Sequence, residues 1–247
     1  MTLITTEALI VKTIPFQETS LIVKLFTREQ GKISVIAKGA RRLKSNLRGY
    51  LEPLSHVEVI YYYKNTRDIQ TLSKIDLVRA YLSDSPDIDS NVYGLAVLET
   101  IDRIIHDHQH DDEIFDLSIN ILKQMDRQPE IGQTLFVRFL QNIADIMGYR
   151  LNTSQCYRCK RPISSAIYNP GSGQLCCHDC IQHGTRADEL SEKDLSFLGA
   201  GLDNNESNYP LPDNPARLIK ILTGYLSHHL DYPLNLKSLQ LLSELIN

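Results

Sequence analysis

Along the first 80 residues, apolar and polar positions alternate with a period of two. Ile33, Val35 and Ala37 recur on one side of the chain, as do Val57, Val59, Tyr61 and Tyr63, and β-branched residues crowd positions 9–11 and 21–23. That period belongs to strands with one buried face. Turn-forming residues fall between the runs, at 15–18, 29–31 and 65–68, and so predict strands near residues 7–14, 19–27, 32–38, 54–64 and 69–78. Such a series, with no room for long helices between its members, suits a small closed barrel of the OB-fold type in which residues 39–53 form the longest connection.

Beyond a linker at 83–89, the period lengthens to about three and a half. Leu95, Leu98, Ile101 and Ile105 are expected on one helical face, Ile114, Leu117, Ile121 and Met125 on a second, and Leu135, Phe139, Ile143 and Ile146 on a third. Pro129 can open the third helix and Gly148 close it. After residue 184 helical spacing resumes. Ser191 with Asp194 has the form of a capping box, Pro215 suits a first turn, and Leu218, Ile221, Leu222, Tyr225 and Leu226 make a stripe. A last segment repeats leucines at 236, 239 and 242. The expected fold class is α+β and multidomain: an N-terminal OB-fold β-barrel over residues 1–80, then an all-helical domain over 81–247 carrying a zinc-ribbon-like insertion at 152–185.

The insertion is predicted from its cysteines. Cys156, Cys159, Cys177 and Cys180 form two Cys-x2-Cys pairs separated by seventeen residues. Each pair puts two thiolates on one tight turn, and two facing turns complete the tetrahedral sulfur shell of one structural Zn2+. A closed shell leaves no position for water, so the metal holds structure and does not catalyse. A disulfide framework would want a secretory signal, which the start of the chain lacks, and a thioredoxin-like pair would occur once. Cys176 breaks the two-residue gap and is read as a spare thiol. Cysteines in this pattern fit a reducing, cytoplasmic compartment, and no run of about eighteen uncharged apolar residues predicts a membrane span.

The net charge of −4 conceals an asymmetry: residues 1–80 carry thirteen Lys plus Arg against seven Asp plus Glu, and the remainder thirteen against twenty-three. A basic front and an acidic rear point to an anionic partner for the first domain only. Its densest cluster is Lys38, Arg41, Arg42, Lys44 and Arg48, five cations in eleven residues entering the longest connection. Barrels of this type hold nucleic acid with one curved face and its loops, where cations follow phosphates. Tyr61, Tyr62 and Tyr63 are read as sheet residues, since alternation turns Tyr62 away from the other two. The run from His106 to Glu113 is read as a solvated helix end, with no ligand partner at metal spacing. His56-Val-Glu58 lacks the following P-C-x-x-C of zinc deaminases. P-loop, GxGxxG and G-x-S-x-G motifs are absent, so any action on nucleic acid is expected to draw its energy from binding and not from nucleotide hydrolysis. Arg158, Lys160 and Arg161, beside the first cysteine pair, leave open whether that module touches DNA.

Taken in order, EALIVKTIPFQETSLIVKLFT, GKISVIAKGARRLKS, CYRC and CCHDC resemble the bacterial RecO family of recombination-repair proteins, and the likeness runs across essentially the whole chain. The resemblance implies an N-terminal OB-fold, a helical domain and often a zinc module. It implies a non-catalytic, cytoplasmic and nucleoid-associated mediator that binds single- and double-stranded DNA, anneals complementary strands and, with RecR, helps load RecA onto strands covered by single-strand-binding protein. It puts DNA contact on Lys38, Arg41, Arg42, Lys44 and Arg48, and metal on Cys156, Cys159, Cys177 and Cys180. It implies neither a small-molecule substrate nor a membrane partner. The alternative is a zinc-ribbon protein-interaction or transcription-type scaffold whose barrel binds a protein.

Overall fold

A computed structural model describes residues 2–45, 47, 49–85, 87–181, 188–200 and 211–245. The chain divides into two compact units, Met1–Gly132 with Leu236–Asn247, and Gln133–Asn235. The expected boundary at residue 80 marks the change from strands to helices, while the first two helices and the last fall in the same compact unit as the strands.

In the first unit, β1 (Thr2–Phe16), β2 (Ser20–Thr27), β3 (Gly31–Ala37), β4 (Ser55–Tyr63) and β5 (Ile69–Ala80) close into a barrel in the order β1-β2-β3-β5-β4. The order is OB-like, and β3 with β5 is its parallel pair. β1 closes the ring because it serves two partners. Its first half pairs with β4 from Thr2 to Leu9 and its second with β2 from Ala8 to Phe16, and an irregularity between Ile10 and Lys12 lets it turn from one to the other. Alternation sends Ala8, Ile10, Val23, Leu25, Val35, Val57, Val59 and Tyr61 into the barrel core. Each such Val, Leu or Ile side chain contributes about 1.5–3 kcal/mol by leaving water. Tyr61 is buried and Tyr63 packs against this core, whereas Tyr62 faces outward, as strand parity requires.

Helices α1 (Ile88–Ile104) and α2 (Asp112–Arg127) begin at Asp87 and Asp111, whose carboxylates accept from the backbone N–H groups of Asp89 and Ile114. The buried stripe of α1 corrects the sequence reading. Leu98 and Ile101 are inside with Tyr93, Val97 and Ile104, but Leu95 is 39% exposed. Two successive steps of three residues drift about 120° around a 3.6-residue helix, which carries Leu95 off the face of Ile101. Phe115 of α2 packs on Phe26 of β2 with ring centroids 5.6 Å apart, and the Arg28 guanidinium lies over its ring.

Charge follows the same contacts. Asp102 on α1 meets both Lys24 and Lys32, at 3.3 and 3.2 Å; Arg28 pairs with Asp116 and Glu7, and Arg79 with Asp126. Part of the basic surplus of residues 1–80 is therefore met within the unit by carboxylates of α1 and α2.

The histidine run does not extend a helix. The chain leaves α1 after Ile104 and hooks onto β3, where the His108 N–H donates to the Lys32 carbonyl. The β2–β3 turn receives it at Gly31, where φ is +66° and any Cβ would overlap the Gln109 carbonyl. The last helix, α6 (Lys237–Leu245), is capped by Glu99 of α1, whose carboxylate accepts from the N–H groups of Lys237 and Ser238 and from the Ser238 hydroxyl.

A 3-10 turn at Pro129–Ile131, still in the first unit, precedes α3 (Gly132–Ile146), which opens the second unit and whose end closes at Gly148 through a bond from Tyr149 N–H to the Ala144 carbonyl. Then come β6 (Ala166–Asn169), β7 (Gln174–Cys176) and β8 (Asp188–Leu190), a three-stranded sheet in the order β7-β6-β8. Helices α4 (Glu192–Gly199) and α5 (Pro215–Leu230) follow. The Ser191–Asp194 capping box and first-turn Pro215 are present as the sequence predicts. No helix among the described residues is long and apolar enough to cross a membrane.

Candidate nucleic-acid loop and metal centre

Two places gather chemistry, one in each unit. The first is the connection after β3. Lys38 leaves the strand exposed, and the chain turns at Gly39, whose φ of +72° is readily adopted only without a Cβ. Arg42 N–H closes that turn on the Gly39 carbonyl at 3.1 Å, and Ser45 N–H closes the next on the Arg42 carbonyl at 3.0 Å. Apolar pegs hold the connection to the barrel: Ala40 and Leu51 are buried, and Leu47 packs partly against the core. Arg41 clamps it to the β1–β2 turn, its N–H donating to the Thr19 carbonyl at 2.9 Å and its guanidinium to the carbonyls of Gln17 and Glu18 at 3.2 and 3.4 Å.

The result is a braced loop with its charges outward. Lys38, Arg41, Arg42 and Lys44 are all exposed, and among the described residues none has a carboxylate within 4.0 Å. Arg48, the fifth predicted contact, lies outside the described residues. This loop differs from most of the strand cations, since Lys24, Lys32, Lys74 and Arg79 are paired, as is Arg28 just after β2, and Lys12 on β1 alone is exposed without a carboxylate partner among the described residues. The β4–β5 connection adds exposed Lys64 and Arg67, held by the buried Gln70 side chain, which accepts from Lys64 N–H and donates to the Lys64 and Arg67 carbonyls. Cation density along the sequence passed over these two, although they flank a predicted turn.

The second place is the cysteine cluster. The sulfurs of Cys156, Cys159, Cys177 and Cys180 all lie within 4.8 Å of one another, with Cys159 and Cys177 at 3.7 Å. Four sulfurs about 2.3 Å from a tetrahedral centre would stand about 3.8 Å apart, so the group could hold a metal ion. In the first turn Lys160 N–H donates to the Cys156 carbonyl at 2.9 Å; in the second Cys180 N–H donates to that of Cys177 at 3.0 Å. The β6–β7 hairpin brings the turns together, Tyr157 N–H donating to Leu175 carbonyl and Cys177 N–H reaching the Cys156 sulfur.

Burial opposes ionisation of Cys156, but backbone N–H donors of Cys159, Cys177 and Arg158 outweigh it and bring the thiol down to about 6. Arg161, donating to its sulfur, lowers Cys159. Cys180 is pushed up to about 12, first by its bond with Cys177 and then by burial. Crowded sulfurs resist complete ionisation, and a divalent cation is what removes that resistance. Arg161 also pairs with Asp179 at 2.9 Å, and Arg158 donates to the Cys180 carbonyl without a carboxylate partner among the described residues. Cys176, buried on β7, is not among the four gathered sulfurs.

Comparison with known proteins agrees along the chain. The family profile described as recombination protein O, N terminal, matches residues 1–81, and its C-terminal counterpart matches residues 85–240. The DNA repair protein RecO of Chlorobium phaeobacteroides is 24% identical over 99% of both chains. That of Koribacter versatilis is 28% identical over 91% of this chain and 93% of its own. The one from Salinibacter ruber is 31% identical over 59% of this chain and 56% of its own.

Proposed function

The chain belongs to the recombination protein O family of DNA repair proteins, and from that premise we propose that it is a non-catalytic mediator whose barrel, residues 1–80, grips DNA through the loop after β3. In this reading it binds single and double strands, anneals complementary strands, and acts with RecR in loading RecA where single-strand-binding protein covers the DNA, in the cytoplasm. The observation that carries it is the contrast in charge. Lys24, Lys32, Lys74 and Arg79 on the strands have acidic partners, Lys12 on β1 being the exception, whereas the clustered Lys38, Arg41, Arg42 and Lys44 have none among the described residues. Unpaired cations on a braced loop gain most from a polyanion, because each neutralised phosphate releases counterions at little ordering cost. Screening two strands at once is what annealing requires.

Salt dependence is the test. Five phosphate contacts, counting Arg48, correspond to a slope near about −3.5 for single strands, at about −0.7 each. Arg41→Gln with Arg42→Gln should shrink it by about 1.4. Unchanged affinity and slope in that variant would remove the loop from the binding surface. Complementary oligonucleotides that anneal no faster with the protein than without it, no nucleotide being added, would favour a protein-binding scaffold.

For the second unit we propose one structural Zn2+ held by Cys156, Cys159, Cys177 and Cys180. Bound there, the ion would neutralise the thiolates and fasten the two turns; with four protein ligands it keeps no position for a reacting water.

A further inference from the structure

Leu43 sits among the loop cations and is 90% exposed, more than any other large apolar side chain among the described residues. It contributes nothing to the barrel, because Ala40, Leu47 and Leu51 do the anchoring. Single exposed leucines are ordinary. This one occupies the first central position of a turn that Ser45 N–H closes on the Arg42 carbonyl, which fixes where it points from. Arg42 and Lys44 stand on either side of it, exposed and without a carboxylate partner among the described residues.

We propose that Leu43 is a base-contacting subsite: it takes the apolar face of an unstacked nucleobase in a single strand while Arg41, Arg42 and Lys44 hold the adjoining phosphates. The inference rests on the function proposed above and adds to it a source of preference. Phosphates are common to single and double strands, so the cations alone discriminate little. Bases of a single strand expose their faces to water, and covering one with a leucine is favourable and independent of salt. A duplex keeps those faces stacked inside and offers Leu43 no partner. Because the turn is already formed, little conformational entropy is lost on contact.

The experiment compares full-length protein and its Leu43→Ser variant on an oligothymidylate and on an abasic strand of equal length, by fluorescence anisotropy at two salt concentrations. Arg41→Gln with Arg42→Gln serves as the charge control. The parent should bind the base-bearing strand about tenfold more tightly than the abasic one, as expected for partial burial of one leucine. Leu43→Ser should bind both strands alike, at the parent's abasic level and with its salt slope. The arginine variant should weaken both strands and flatten the slope. If Leu43→Ser keeps the parent's preference, or the parent has none, the subsite is wrong while the loop assignment stands. If the arginine variant changes neither affinity nor slope, the loop assignment fails and the subsite with it. Thermal melting should be the same for Leu43→Ser and parent, so a folding defect is separable.

Discussion

Replacing Asp102 with asparagine removes the charge that faces two ammonium groups, Lys24 at 3.3 Å and Lys32 at 3.2 Å, while preserving shape. The side chain of Lys32 is 9% exposed and that of Asp102 24%, so solvent does not screen this pair as it does surface pairs, which are worth under about 1 kcal/mol. Removing one partner of a buried pair costs about 3–5 kcal/mol, because the other charge is left buried. Lys32 keeps the Asp102 carbonyl at 2.6 Å, and exposed Asp107 at 3.8 Å is a weak substitute, so the low end, about 3 kcal/mol, is expected. Burial pushes the Asp102 carboxyl up, but Lys32 and Lys24 outweigh it and hold it below the ordinary value of 3.8. Its contribution is then complete above that value and lost as pH falls through the folded one. Urea denaturation followed by circular dichroism, at neutral pH and near pH 3, gives both quantities. The double change Asp102→Leu with Lys32→Met should recover most of the loss, since the one charge it leaves without its partner, Lys24, is a third exposed to water. A loss under about 0.5 kcal/mol, or one that the double change does not recover, would refute the view that these lysines serve the fold and not a polyanion.

Burial first, and Arg28 further, lower His56 against an opposing Glu7, so the folded protein binds fewer protons than the unfolded chain below the ordinary value of 6.5. Stability should therefore decline as pH drops from there towards the folded value, and His56→Phe should shrink the difference between melts at about pH 7.5 and 5.5. Gly31→Ala forces a Cβ into the Gln109 carbonyl at positive φ and should cost about 2–4 kcal/mol in chemical denaturation; a near-neutral result would mean that the hook of residues 106–110 is not seated on the turn. Elemental analysis should find one zinc per chain in the parent and little in Cys156→Ser, with chelation increasing proteolysis within residues 133–235; a parent free of zinc would contradict the assignment.

What the sequence determined by itself is what adjacent residues settle between them. Strand parity sorted Tyr61 from Tyr62, the Ser191–Asp194 spacing announced a cap, and two Cys-x2-Cys turns specified a sulfur cluster, because each signal lies within a turn or along one pleat. The basic loop was legible too, as a local density of charge. Tertiary structure alone decided which of the described cations lack an acidic partner. Lys32 meets a carboxylate seventy residues away and Arg28 one at a distance of eighty-eight, and no local pattern distinguishes them from Arg42. Packing likewise set the buried stripe of α1, where Leu95 turned outward, and drew residues 106–110 off the helix onto β3. Charge and burial depend on neighbours brought together in space, so the division between cations that brace the fold and cations open to a ligand arises only when the chain has folded.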